Sequence, residues 1–179
     1  MAAARTRELG QTLGRKEFVA SLKGIGSFSL DTSSVIYYLS GYDQRHALVR
    51  DVLDCVGKGG LELQFSAMTE MELMVRPLRE RDRVAQRRVM ALLEGSPGAR
   101  VTPISRGVLM AAAEIRAWTG MKAPDAIIAA GAVVYGCEAI VGNDKSLQRL
   151  GKIDLEQWVA PVLRDRPLPR YLHLDDYLD

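Results

Sequence analysis

The run from Lys122 to Leu147, KAPDAIIAAGAVVYGCEAIVGNDKSL, restricts the fold more than any other stretch. Pro124 suits the first turn of a helix, where its fixed φ fits and its missing N–H would go unpaired anyway. Asp125 therefore stands at a helix N-terminus. From Ala126 to Val134 the residues are apolar almost all round, the pattern of a helix covered by its own protein. Gly136 supplies a stop, and Cys137 to Val141 reads as a short buried strand closed by Gly142 and Asn143. Asp144 follows the carboxyl end of that strand, the edge at which open α/β sheets bind ligands. Each aspartate also has an ordinary explanation. An acid in a first helical turn favours the helix dipole, and Asn-Asp is common turn chemistry.

Similar units recur upstream. Phe28, Ser29 and Leu30 form a brief expected strand, Asp31-Thr32-Ser33-Ser34 is polar, and Val35 to Leu39 begins a helix. Asp31 thus also ends a strand, where N-cap and functional acid are compatible roles for one residue. Leu48, Val49, Val52, Leu53 and Val56 fall at helical spacing, ended by Gly57-Lys58-Gly59-Gly60, and Leu61 to Phe65 alternates as a strand. Ser66 to Val75, SAMTEMELMV, follows as a helix. Thr69 is its expected cap, with Glu72 three residues on in the form of a capping box.

From Arg76 to Arg88 the chain concentrates arginines around Glu80 and Asp82, in a helix expected to run on through Leu93 to Gly95. Such a run is a solvated face with i,i+4 pairs or a phosphate contact. Arg100 to Ile104 is an expected strand, and Ser105 caps a helix from Val108 to Trp118. Ile153 to Leu163 reads as an edge strand or short helix. Pro161, Pro167 and Pro169 make the tail extended and irregular, with an acidic amphipathic end from Leu172 to Leu178.

Composition narrows the chemistry. The 179 residues suffice for one domain with a substantial core, and the 47% hydrophobic and 26% charged content is that of a soluble globular protein. A net charge of +2 excludes a histone-like polycation, so any nucleic-acid contact must be local. Cys55 and Cys137 lie in apolar surroundings without metal-ligand spacing, which with the absence of a signal-peptide pattern or membrane-length apolar run suggests a cytoplasmic protein. His46 and His173 leave little material for a zinc-histidine cluster or a Ser-His-Asp triad. The acids are the better reagents.

Alternating strands and helices imply an α/β fold with a mainly parallel sheet. It would bring Asp31, Glu72, Asp125 and Asp144 to one edge. Converging carboxylates raise one another's pKa and oppose folding unless a cation joins them. Oxygen ligands with no imidazole or thiolate suit Mg²⁺ or Mn²⁺.

With these residues in place, the chain resembles the PIN-domain family of metal-dependent nucleases, which includes the VapC-type toxins of VapBC toxin-antitoxin pairs. The resemblance rests on LDTSSVIYYL, SAMTEMELMV, APDAIIAAGAVVYG and AIVGNDKSL in this order, and spans roughly Phe28 to Leu150. It implies a three-layer α/β/α sandwich and endonucleolytic cleavage of RNA with one or two metal ions. Asp31, Asp125 and Asp144 would be ligands and Glu72 a ligand or orienter of the attacking water, with Glu70 its nearby rival; Thr32 and Asn143 would add hydrogen bonds at the rim. A cognate antitoxin and a homodimer are the implied partners, and a housekeeping RNA-processing nuclease or a non-catalytic RNA- or protein-binding module are the alternatives. A haloacid-dehalogenase-like phosphatase would need a second aspartate where Ser33 stands. The expected organisation is an N-terminal extension over 1–26, a nuclease domain over 27–155, and a C-terminal tail over 156–179 packed on the domain or extending from it. Gly142 departs from the pattern, since the family often has a hydroxyl residue there.

Overall fold

A computed structural model describes residues 13–42, 44–58, 61–154 and 162–178. Helix α1 (Arg15–Leu22) leads into strand β1 (Ser27–Leu30), followed by α2 (Thr32–Ser40) and α3 (Gln44–Gly57). Strand β2 (Glu62–Ser66), helices α4 (Ala67–Arg79) and α5 (Arg83–Gly95) and strand β3 (Ala99–Thr102) come next. Helices α6 (Arg106–Thr119) and α7 (Ala123–Val134) precede β4 (Ala139–Gly142), a 3₁₀ helix (Lys145–Lys152), β5 (Arg170–His173) and a final 3₁₀ turn (Leu174–Tyr177).

The five strands pair in the order β3-β2-β1-β4-β5, and every pairing is parallel. From β1 the chain builds outward to β2 and β3, then returns to the other side of β1 to lay down β4 and β5. The direction of winding therefore reverses between β1 and β4. A crevice opens at such a switch point, beyond the carboxyl ends of the strands.

Strand periodicity divides the core. Phe28, Leu30, Ala139, Val141 and Leu172 face a cluster that includes Val35, Val49, Val52 and Leu93 from the helices. Ile140, on the opposite face of β4, joins Ile115, Ala129, Leu147 and Leu150. Helices thus cover both faces of the sheet, the three-layer sandwich expected. On the α7 side, β1 and β2 present the buried polar side chains Ser29, Gln64 and Ser66, and the small residues of α7 allow close approach there. Gln64 Nε2 donates to the Tyr135 carbonyl at the end of α7.

Several elements differ from expectation. The cap of α4 is Ser66, whose hydroxyl accepts from the Met68 N–H, while Thr69 is fully buried inside the helix. The arginine run does not continue one helix to Gly95. Arg81 adopts φ 54°, and Asp82 caps a separate α5 by accepting from the Val84 and Ala85 amides. Pro77 is accommodated within α4, upstream of this break. The solvated-face reading fits Arg76, whose guanidinium pairs with Glu80 at 2.9 Å and is mostly exposed. The proline-rich tail contains β5, a true sheet strand, with Leu172 buried within it and Leu174 just after it. The region expected to hold an edge strand or short helix between Ile153 and Leu163 falls largely on residues 155–161, outside the described residues.

Within the segment expected as an N-terminal extension, α1 buries Phe18 and Leu22, and Phe18 meets Tyr177 edge-to-face at 5.0 Å between ring centroids. Both cysteines are free thiols; burial pushes that of Cys137 up to about 12, an unreactive state, and Cys55 is half-buried. Among the described residues no helix is long and apolar enough to cross a membrane.

Candidate active site

The backbone brings the four acids together from four elements. Asp31 follows β1 directly, and its amide donates to the Val141 carbonyl, extending the ladder with β4 by one residue. Asp144 follows β4 and caps the 3₁₀ helix, its carboxylate accepting from the Ser146 N–H at 2.7 Å. Asp125 lies in the first turn of α7, and Glu72 is midway along α4. Asp31, Glu72, Asp125 and Asp144 line one cavity of about 360 Å³, with Thr32 and Ser33 on its polar wall. Ile36, Ile128 and Leu147 form its apolar side. Glu70 does not line it. A larger groove of about 750 Å³, along α4 and α5, is lined by arginines, methionines, Leu78 and Gln86 and contains no acid.

Asp31 is 4% exposed and caps α2. Its carboxylate accepts from the Ser34 N–H at 2.7 Å, from the Ser33 hydroxyl at 2.8 and 3.0 Å, and from the Asn143 N–H at 3.2 Å. Burial pushes its pKa above the ordinary carboxylate value, against the lowering effect of these donors. The pKa of Asp125 is also raised, first by burial and then by the nearby carboxylates of Asp144 and Glu72; Lys122 and the Ser146 hydroxyl oppose this. Three of the acids therefore share one field, though they belong to separate elements.

The supporting groups were only partly readable. Thr32, expected at the rim, donates through Oγ1 to Glu72 Oε2, so no Thr69–Glu72 capping box forms and Glu72 is tied to α2 instead. Asn143, also expected there, acts as a brace: its Nδ2 donates to the Tyr37 hydroxyl at 3.3 Å and its Oδ1 accepts from the Asp175 N–H at 3.2 Å. Ser33 and Ser146 were not singled out. Their signal was a hydroxyl two residues after an acid, a common turn pattern.

The donor set is entirely oxygen, as a hard divalent cation requires. Among the described residues no three such side chains already stand close enough to hold a metal ion. Asp144 is exposed and Glu72 and Asp125 are partly exposed, whereas Asp31 is buried.

No curated protein matches the chain in sequence. Several solved structures share its fold. VapBC2 from Rickettsia felis bound to a DNA fragment from their promoter superposes with TM-score 0.59 at 12% identity, covering 82% of this chain and 98% of that one. DNA-bound VapBC from Salmonella typhimurium gives TM-score 0.54 at 20% identity, covering 83% and 98%. A toxin-antitoxin complex from Klebsiella pneumoniae gives 0.51 at 22% identity, covering 65% and 85%. The PIN-domain family model matches residues 29–153, a span that starts within β1 and closes just after the 3₁₀ helix, enclosing all four acids; the chain belongs to the PIN-domain family.

Proposed function

We propose that this protein is a Mg²⁺- or Mn²⁺-dependent endoribonuclease and the toxin of a toxin-antitoxin pair. The observation that carries the reading is the arrival of four carboxylates, from four separate elements, in one cavity at the switch point of a parallel sheet. Asp31, Asp125 and Asp144 would hold the cation, with Asp31 as the fixed member and the others closing toward it. When bound, such a cation lowers the pKa of a water and offsets charge developing on the phosphoryl oxygens. Glu72, held by the Thr32 hydroxyl, would join the ligands or orient the attacking water and take its proton. Arg79 lies two turns further along α4 and would supply positive charge for the RNA backbone. The Klebsiella pneumoniae relative is a toxin-antitoxin complex, which supports a cognate protein inhibitor for this chain too. A family dimer fits the same reading, and a cytoplasmic location would give it access to RNA.

The test is cleavage of a mixed-sequence fluorogenic RNA by purified, partner-free protein. Cutting should require Mg²⁺ or Mn²⁺, stop with EDTA, and be lost in D31N. Cleavage that survives both EDTA and D31N would refute the assignment. Folded protein that neither cuts RNA nor binds Mn²⁺ would identify a non-catalytic binding module.

A further inference from the structure

Tyr171 carries a buried hydroxyl that has no hydrogen-bond partner among the described residues. An unpaired buried donor is costly to a folded protein, so a group this well enclosed is expected to have a use. Its position suggests one. A Cβ placed on Gly142 would lie 2.6 Å from Asp31 Oδ2 and 2.9 Å from Tyr171 Oη, closer than real contacts allow. The carboxylate of β1 and the phenol of β5 therefore share the space that a side chain on β4 would otherwise fill. The backbone N–H of Asp144 also faces Oη, at a geometry short of a hydrogen bond. An oxygen with an amide on one side has its own hydrogen free for an acceptor on the other, and Asp31 Oδ2 is the carboxylate oxygen across that shared gap.

We propose that Tyr171 is a positioning residue of the acidic site, its phenol, unpartnered among the described residues here, turning to donate to Asp31 Oδ2 across the gap left by Gly142 and so fixing the carboxylate for a divalent cation. This rests on the metal-site reading above. The Ser33 and Ser34 donors come from the first turn of α2, which Asp31 caps, and the Asn143 donor from the residue after β4. Tyr171 alone would tie it to the sheet's edge strand. Outer partners of metal-binding carboxylates typically change metal affinity by 10–100-fold.

The experiment compares the full chain with Y171F, D31N and the double variant. Y171F keeps the ring and removes only the hydroxyl. Mn²⁺ affinity, measured by calorimetry, should fall about tenfold in Y171F, and RNA turnover should show lower kcat at unchanged KM. In metal-free protein, the melting shift caused by Y171F should disappear when D31N is already present, which a purely space-filling tyrosine would not do. Y171F that binds Mn²⁺ within twofold of the parent, or an equal melting shift in both backgrounds, would overturn the role of Tyr171. A parent protein that binds no Mn²⁺ would overturn the metal-site reading itself, and the metal-free cycle would still decide the contact.

Discussion

Asp31 both caps α2 and lines the acidic cavity. Its hydrogen bonds hold the carboxylate in one orientation, and its burial makes the ionised form costly; both conditions suit the cation ligand proposed above. The raised pKa values of Asp31 and Asp125 mean that the folded protein binds their protons more tightly than the unfolded chain does. The cost to stability is complete above the folded values and is relieved as pH falls toward the unfolded value of about 4. The melting temperature of metal-free protein should therefore rise as pH is lowered from neutral toward the unfolded value of about 4, with saturating Mn²⁺ removing that dependence. A metal-free melting temperature that falls over this range would refute the strained-carboxylate account. D125N removes one of the mutually repelling charges, so it should abolish cleavage while leaving the metal-free fold as stable or more stable. A clear loss of melting temperature would show that Asp125 serves the helix, not the pocket. G142A is expected to have the opposite effect on order at the site: its methyl group would displace the Asp31 carboxylate and lower Mn²⁺ affinity at least as much as Y171F, read by the same titration. At this scale the acids were legible because each stands where apolar periodicity breaks. Ser33, Ser146 and Tyr171 were not, since their roles depend on neighbours distant in sequence or on a strand hidden in a polar tail.

Among the elements, α7 and β4 were the most readable. Proline at the start, glycine after the end and an unbroken apolar run left no other arrangement with the same length and punctuation. The break between α4 and α5 was not readable. Arginine tolerates helix interiors well, and only a turn completed by Asp82 capping the next helix, with Arg81 in the left-handed region, separates the two. Strand β5 was hidden for another reason. Its four residues, Arg170 to His173, carry a weak pattern of their own and become a strand because β4 offers an open parallel edge. The contribution of this strand and the 3₁₀ turn after it to stability is nonetheless large. Leu172, Leu174 and Tyr177 are at most 8% exposed, and burial of such side chains contributes about 1.5–3 kcal/mol each, a substantial share of a domain's net stability. A chain ending at Pro169 should lose cooperative thermal unfolding, measured by circular dichroism. Cooperative melting within a few degrees of the full chain would show that β5 is dispensable.

The whole molecule places its site through topology. A parallel sheet that reverses its winding between β1 and β4 puts Asp31 and Asp144 on either side of one crevice, while α4 and α7 bring Glu72 and Asp125 to its walls. The α/β class and parallel sheet were legible from the alternation of elements, and the order of strands became definite only in three dimensions. On this reading the four acids, though they lie on four elements, form one cation site. Calorimetric titration of Mn²⁺ into the metal-free protein and into D31N, E72Q, D125N and D144N is the decisive test. The parent protein should bind Mn²⁺, and affinity should fall at least tenfold in the three aspartate variants and less in E72Q. Unchanged affinity in D31N, D125N and D144N, or no Mn²⁺ binding by the folded parent, would rule the shared site out.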